Sequence, residues 1–221
     1  MSEDVIVVRG LVKKYDGRPA ILDGLDFSIG EREFAVVCGK SGCGKTTLLN
    51  ILGGLDRPTE GAILLDGEDL VGATEDHLAK LRLHKIGFVF QDYNLLQELT
   101  IRENIALPLR LSGKTDARKV DDLLDTFGLT EIQGAYPNTL SGGESQRVAV
   151  SRALMNNPRV VLADEPTGNL DSDNAGKVIQ ALDLARDKYG ATVVLATHDS
   201  SLVNHSTKTI QLECGKATIG N

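Results

Sequence analysis

Tryptophan is absent from this chain of 221 residues, and aromatic side chains make up only 4% of it. No apolar run approaches the roughly 20 residues that a helix needs to cross a bilayer, so any membrane role has to come through a partner. Positive charge is in deficit, with a formal net charge of −7. Lys and Arg are scattered rather than massed, which excludes the cationic face of a sequence-independent nucleic-acid binder. Phosphate recognition, if present, must be local. Cysteine is scarce and odd in number: Cys38, Cys43 and Cys214 lack metal-ligand spacing and give no disulfide framework, which points to a reducing compartment. Met1 to Gly10 carries Glu3 and Asp4 where a secretory leader has positive charge followed by an apolar stretch, so a cytoplasmic location is expected. His77, His84 and His205 form no metal-ligand pattern and are expected at the surface or at helix ends.

What is present fits an ordinary globular chain: 41% hydrophobic and 25% charged residues. The length fits a single domain, 1–221, with a core of its own. Four short apolar runs, Phe34 to Cys38, Ile86 to Phe90, Val160 to Ala163 and Thr192 to Thr197, are continuous rather than alternating. That pattern predicts strands buried on both faces in a mainly parallel α/β sheet. The segment 92–156 reads as an inserted helical subdomain, with helices at Val120 to Phe127 and Glu144 to Met155 and breaks at Pro108, Gly113, Gly128 and Pro137. Val5 to Ile29 and Ala62 to Leu65, with turns at Asp16-Gly17 and Asp66-Gly67, predict an antiparallel β flank.

Ligands in open α/β sheets bind beyond the carboxyl ends of the strands. There the four runs lead into a Gly-rich loop, Gln91, the pair Asp164 and Glu165, and His198. The loop, Gly39-Lys40-Ser41-Gly42-Cys43-Gly44-Lys45-Thr46 continued by Thr47, matches the phosphate-loop pattern between a strand and a helix, and so predicts a P-loop NTPase core. Its glycines let backbone N–H groups curl round phosphate oxygens, with the helix N-terminus adding positive potential. Lys45 then reaches the terminal phosphates and the Thr46 hydroxyl holds Mg²⁺. Asp164, at a strand end, is a candidate Mg²⁺ ligand, leaving Glu165 as general base toward water; the alternative is an acidic helix start. Leu140 to Gln146, with Ser141, Gly142, Gly143 and Glu144, offers a second anion cradle before a helix. The same residues also fit a capping box.

These motifs and their order resemble the ABC ATPases over essentially the whole chain, with Leu140 to Gln146 similar to that family's signature sequence. The resemblance implies ATP with Mg²⁺ as cofactors and two chains sandwiching two ATP molecules, each signature loop touching the partner's nucleotide. It implies that Tyr15 stacks on adenine, that Gln91 contacts Mg²⁺ and reports to the permease, that Gly168 to Asp171 crosses between protomers, and that His198 orients the attacking water. Each has a plainer alternative: a flank residue, a strand-end amide, a helix cap. The stretches Gly53 to Pro58, Phe88 to Leu96, Glu103 to Pro108 and Asp164 to Asp171 resemble the lipoprotein-release and macrolide-export branch, with the cell-division ATPase as alternative. The implied function is the ATP-hydrolysing subunit of a transporter. The resemblance further implies that it powers an integral membrane permease and sits on the cytoplasmic face of the membrane.

Lys40, Cys43 and Ser145 depart from that branch's usual residues. Cys43, beside Lys45 at a helix start, stands where thiols become reactive, unless it is simply a small residue that fits. Tyr93, Leu95 and Leu96 are the candidate permease-facing residues, with a core position as the alternative. A soluble non-transport ABC ATPase would pair two such domains or insert a coiled coil. A small-molecule kinase would have no use for the second cradle.

Overall fold

The computed structural model describes residues 4–220. Met1 to Glu3, part of the acidic start on which the expectation of no leader rests, lie outside the described residues, as does Asn221. Strands β1 (Asp4–Lys13) and β2 (Leu22–Gly30) pair antiparallel around the turn at Asp16 and Gly17. They are followed by β3 (Phe34–Cys38), helix α1 (Lys45–Leu52), and the pair β4 (Glu60–Leu65) and β5 (Glu68–Asp69). Helix α2 (Glu75–His84) leads into β6 (Ile86–Val89). Three helices, α3 (Ile101–Leu111), α4 (Ala117–Thr126) and α5 (Gly142–Ala153), separate β6 from β7 (Val160–Asp164). Helix α6 (Ser172–Asp187), β8 (Thr192–Thr197), β9 (Lys208–Glu213) and β10 (Lys216–Gly220) complete the chain.

Two sheets result. One is antiparallel, in the order β2-β1-β4-β5. The other runs β10-β9-β3-β8-β7-β6, parallel except for the β10–β9 hairpin. The continuous apolar runs are explained by what covers each face. Phe34, Val36 and Cys38 face a cluster with Ile105, Leu123, Val148 and Leu182 from the helices. Ala35 and Val37 face the opposite cluster, with Ile6 and Leu25 of the antiparallel sheet and Leu48 and Leu52 of α1. With a period of two and both faces dry, every residue of such a strand must be apolar. Each large side chain buried in this way contributes roughly 1.5–3 kcal/mol.

The structure departs from the sequence reading at two elements. Beyond the four apolar runs, the parallel sheet gains β9 beside β3. Pro108 does not break its helix: α3 continues to Leu111 with Pro108 inside it. A proline there forfeits a backbone bond and costs ~3 kcal/mol. The capping box of Thr100 and Glu103 and the burial of Ile101, Ile105 and Leu109 offset that cost.

Candidate functional site

At the end of β3 the chain turns through Gly39 to Gly44 into α1. Gly39 and Gly44 are fixed by space. A Cβ on Gly39 would lie 2.5 Å from the Leu212 carbonyl oxygen, and one on Gly44 (φ 105°) would lie 2.8 Å from Leu22 Cδ2. Gly44 is the N-cap of α1 and supplies no side-chain acceptor, so the first-turn N–H groups keep no side-chain partner there. Lys45 is buried, 7% exposed. Its Nζ lies 3.0 Å from the Gly39 carbonyl oxygen, 3.4 Å from that of Lys40 and 3.3 Å from Glu165 Oε1. The ammonium thus folds back over its own loop.

Glu165 follows β7 with φ 45°, a left-handed backbone that costs a non-glycine residue roughly 1–2 kcal/mol. Its N–H donates to the Ala196 carbonyl at 2.9 Å, which ties the turn to β8. The carboxylate bridges two groups. Oε1 faces Lys45, while Oε2 sits 2.8 Å from His198 Nδ1 and accepts the His198 backbone N–H at 3.3 Å. The imidazole is 65% exposed, so this end of the bridge faces the open cleft.

Asp164 is half-buried, and its Oδ1 is buried without a hydrogen-bond partner. Burial raises its pKa above the usual carboxylate value, and the Glu165 charge adds to the rise. The Thr46 hydroxyl and Lys45 oppose it. An orphaned carboxylate oxygen of this kind costs ~1–3 kcal/mol. Beside a threonine hydroxyl it fits a hard divalent cation, which takes oxygen ligands.

The cleft has a volume of about 480 Å³ and is lined by Ser41, Gly42, Gly44, Lys45, Thr46, Thr47, Gln91, Glu165 and His198, all expected from the sequence. Ile21 and Gly168 also line it and were not among the expected residues. Ile21 had no motif to betray it; Gly168 was expected in the loop that crosses between protomers rather than in the cleft lining. Gly39 and Lys40 turn their carbonyls to Lys45. Cys43 is half-buried and packs against the core; a Cβ on Gly39 would lie 2.6 Å from its sulfur.

Tyr15, Ser141, Gly142, Gly143, Glu144 and Asp171 do not line this cleft. The Tyr15 hydroxyl donates to Asp56 Oδ2 at 2.9 Å, and the Lys13 ammonium lies 4.6 Å from its ring centroid. Ser141 and Glu144 form the capping box of α5. Asp171 caps α6 through the Asn174 N–H at 2.9 Å, and a Cβ on Gly143 would lie 2.6 Å from Asn174 Oδ1. The second cradle and Asp171 therefore pack together around Asn174. The three candidate permease-facing residues divide between the two readings: Leu95 is buried and Tyr93 is half-buried against the same core cluster, while Leu96 is exposed. Tyr93 and Asn94, just before buried Leu95, both have a left-handed backbone. An apolar groove lies nearby instead, between α2, β6, α3 and α5, with Leu83, Phe88, Leu107, Leu111 and Ala153 on its walls and a volume of about 320 Å³.

The ABC transporter family profile matches residues 22–168. The lipoprotein-releasing system ATP-binding protein LolD 1 of Chlorobium chlorochromatii is 42% identical over 206 residues, covering 90% of this chain and 82% of that protein. The macrolide export ATP-binding/permease protein MacB of Syntrophobacter fumaroxidans is 42% identical over 88% of this chain, which spans 28% of that longer protein. A solved ATP-binding cassette, dimeric in a post-hydrolysis state with ADP and Pi, has a TM-score of 0.88 at 37% identity, with 98% of both chains covered. This chain belongs to the ABC transporter family, as an ATP-binding ATPase subunit of the branch in which LolD and MacB stand.

Proposed function

We propose that two copies of this chain close head-to-tail over two ATP molecules with Mg²⁺ and hydrolyse them. The resulting motion drives an integral membrane permease on whose cytoplasmic side the pair sits, in work of the lipoprotein-release or macrolide-export kind. The whole chain, 1–221, acts as one unit, with 92–156 as its helical part. The observation that carries this reading is the Glu165 carboxylate suspended between Lys45 and His198 at the mouth of a phosphate-loop cleft. ATP phosphates draw the Lys45 ammonium away from the Gly39 and Lys40 carbonyls and from Glu165. The freed carboxylate accepts the proton of the attacking water as general base. His198, hydrogen-bonded to Oε2 through Nδ1, keeps that carboxylate aimed and turns its exposed ring to the γ-phosphate. The donor set of Asp164, the Thr46 hydroxyl and the Gln91 amide would hold Mg²⁺, whose charge neutralises the terminal phosphates.

Ser141, Gly142, Gly143 and Glu144, absent from the lining of their own cleft, serve the partner's nucleotide, with Asp171 at the contact and Tyr15 under the adenine. No helix described is long and apolar enough to cross a membrane. Attachment therefore comes through the permease, and the apolar groove beside Phe88 and Leu107 is the place for one of its short helices. Replacement of Glu165 by Gln is expected to lower kcat by about 100-fold or more with affinity for a fluorescent ATP analogue retained. Ser141→Ala should lower turnover with the same affinity retained by the isolated chain. Full turnover in Glu165→Gln removes this residue from the chemistry.

A further inference from the structure

Arg152 stands in the last turn of α5 and reaches two backbone carbonyls instead of a carboxylate. Its Nη1 donates to the Asn94 oxygen at 2.6 Å and its Nη2 to the Tyr93 oxygen at 2.8 Å. Among the described residues it makes no ion pair with an acid. Burial pulls the guanidinium below its ordinary value without an acid to offset the effect. The two carbonyls belong to consecutive left-handed residues, Tyr93 at φ 62° and Asn94 at φ 47°. Such a turn persists only where its surroundings over-determine it. The planar fork of Arg152 does so with two charge-assisted bonds that a single ammonium has no geometry to reproduce.

The rest of the segment after Gln91 is pinned from the other side. Asn104 of α3 is fully buried; its Oδ1 accepts the Leu96 N–H at 2.9 Å, and its Nδ2 donates to Leu96, Leu99 and Thr100 carbonyls at 3.0, 3.0 and 3.1 Å. Helix α5 meets the segment at two further points. Gln146 Nε2 donates to the Phe90 carbonyl at 3.4 Å. At the start of the helix, a Cβ on Gly142 would lie 2.8 Å from the Tyr93 hydroxyl and 2.8 Å from Leu170 Cδ2. One helix is thus held along its length to the residues on either side of Gln91.

We propose that Arg152 and Tyr93 are positioning residues for ATP hydrolysis: Arg152 fixes the Tyr93–Asn94 turn, and the Tyr93 hydroxyl, set against Gly142, fixes the Ser141 loop at a constant spacing from Gln91. The inference rests on the reading that this loop completes the nucleotide site of a second copy. Neither residue touches ATP in that arrangement. They act on where the loop and Gln91 stand relative to each other, and misplacement of about 1 Å costs up to about 100-fold in rate.

The test is steady-state kinetics beside equilibrium binding of a fluorescent ATP analogue. Arg152→Met is expected to lower kcat by about 10- to 100-fold with KM and the analogue's Kd held within about threefold. Arg152→Lys, which reaches one carbonyl at a time, should fall between Arg152→Met and the parent. Tyr93→Phe, which removes the hydroxyl set against Gly142, should likewise lower kcat with the analogue's Kd held within about threefold. Equal loss of binding and turnover in Arg152→Met and Arg152→Lys, or full turnover in Tyr93→Phe, overturns the proposal. Full turnover in Arg152→Met with the expected loss in Ser141→Ala overturns this inference alone; full turnover in both overturns the underlying reading of the loop as well.

Discussion

Asp164 has one carboxylate oxygen without a partner and a pKa raised by burial, so the folded chain without nucleotide holds its ionised form at a cost. The folded value lies above the unfolded one, and the folded state therefore binds more protons between the two. The cost is absent in acid below the unfolded value, grows as pH rises toward the folded value and persists above it. Asp164→Asn is expected to melt higher than the parent at neutral pH without nucleotide, by about 1 kcal/mol or about 2–4 °C, with the difference vanishing in acid. Differential scanning calorimetry across pH checks this, and a lower melting point at neutral pH contradicts it. The same variant should lose the extra stabilisation by ATP that added Mg²⁺ gives the parent. At this scale the sequence spoke through motif spacing: Lys45, Asp164, Glu165 and His198 each follow an apolar run, and the structure puts them at one edge. It was silent where a role depends on distant neighbours. Ile21 and Arg152 carry no motif, and nothing local announces the left-handed backbone of Glu165.

Helix α5 starts where two demands meet. Ser141 Oγ accepts the Glu144 N–H at 3.3 Å, and Glu144 Oε2 accepts the Ser141 N–H at 2.8 Å and its hydroxyl at 2.6 Å. Hydrogen bonds from the Ser141 side chain and then its backbone hold the Glu144 carboxyl below its usual value. A depressed folded value means that this contribution is complete above the unfolded value and is lost as pH falls through the folded one. Ser141→Ala is accordingly expected to cost ~1 kcal/mol in urea unfolding at neutral pH and less in acid. A cost that does not change with pH would mean that the Glu144 half of the box contributes nothing. The capping-box and anion-cradle readings of this stretch concern the same atoms, and local sequence gave no means to choose between them. Helix α3 shows the opposite limit: Pro108 looked like an end, but buried Ile101, Ile105 and Leu109 carry the helix through it. Tertiary burial of this kind does not register in a local pattern. The same holds for β9, whose place beside β3 depends on pairing across more than 170 positions of chain.

The whole molecule is a mainly parallel sheet dry on both faces, with the antiparallel sheet, α1 and α2 over one and α3 to α6 over the other. An ionic chain joins the layers at the far edge from the cleft. Arg159 before β7 meets Glu31 and Asp66, Lys85 before β6 meets Asp66 and Glu68, and Glu68 meets His77. Continuous apolar runs made the sheet legible, since only a doubly covered strand tolerates them. The layer order and the groove beside Phe88 were not legible, because they follow from how separate elements meet. The same scale carries the main consequence: Gly143 and Asp171 pack around Asn174, outside the cleft that holds Lys45 and Glu165. A cradle so placed has a use once a second copy presents its own cleft, which makes the proposed pairing the hinge of the account.

Sedimentation velocity of the Glu165→Gln variant tests that pairing most directly. With ATP and Mg²⁺ at saturation the variant should move as a species of twice the chain's mass, and with ADP it should return to the single chain. A variant that binds ATP fully yet remains a single chain at every concentration would contradict the account.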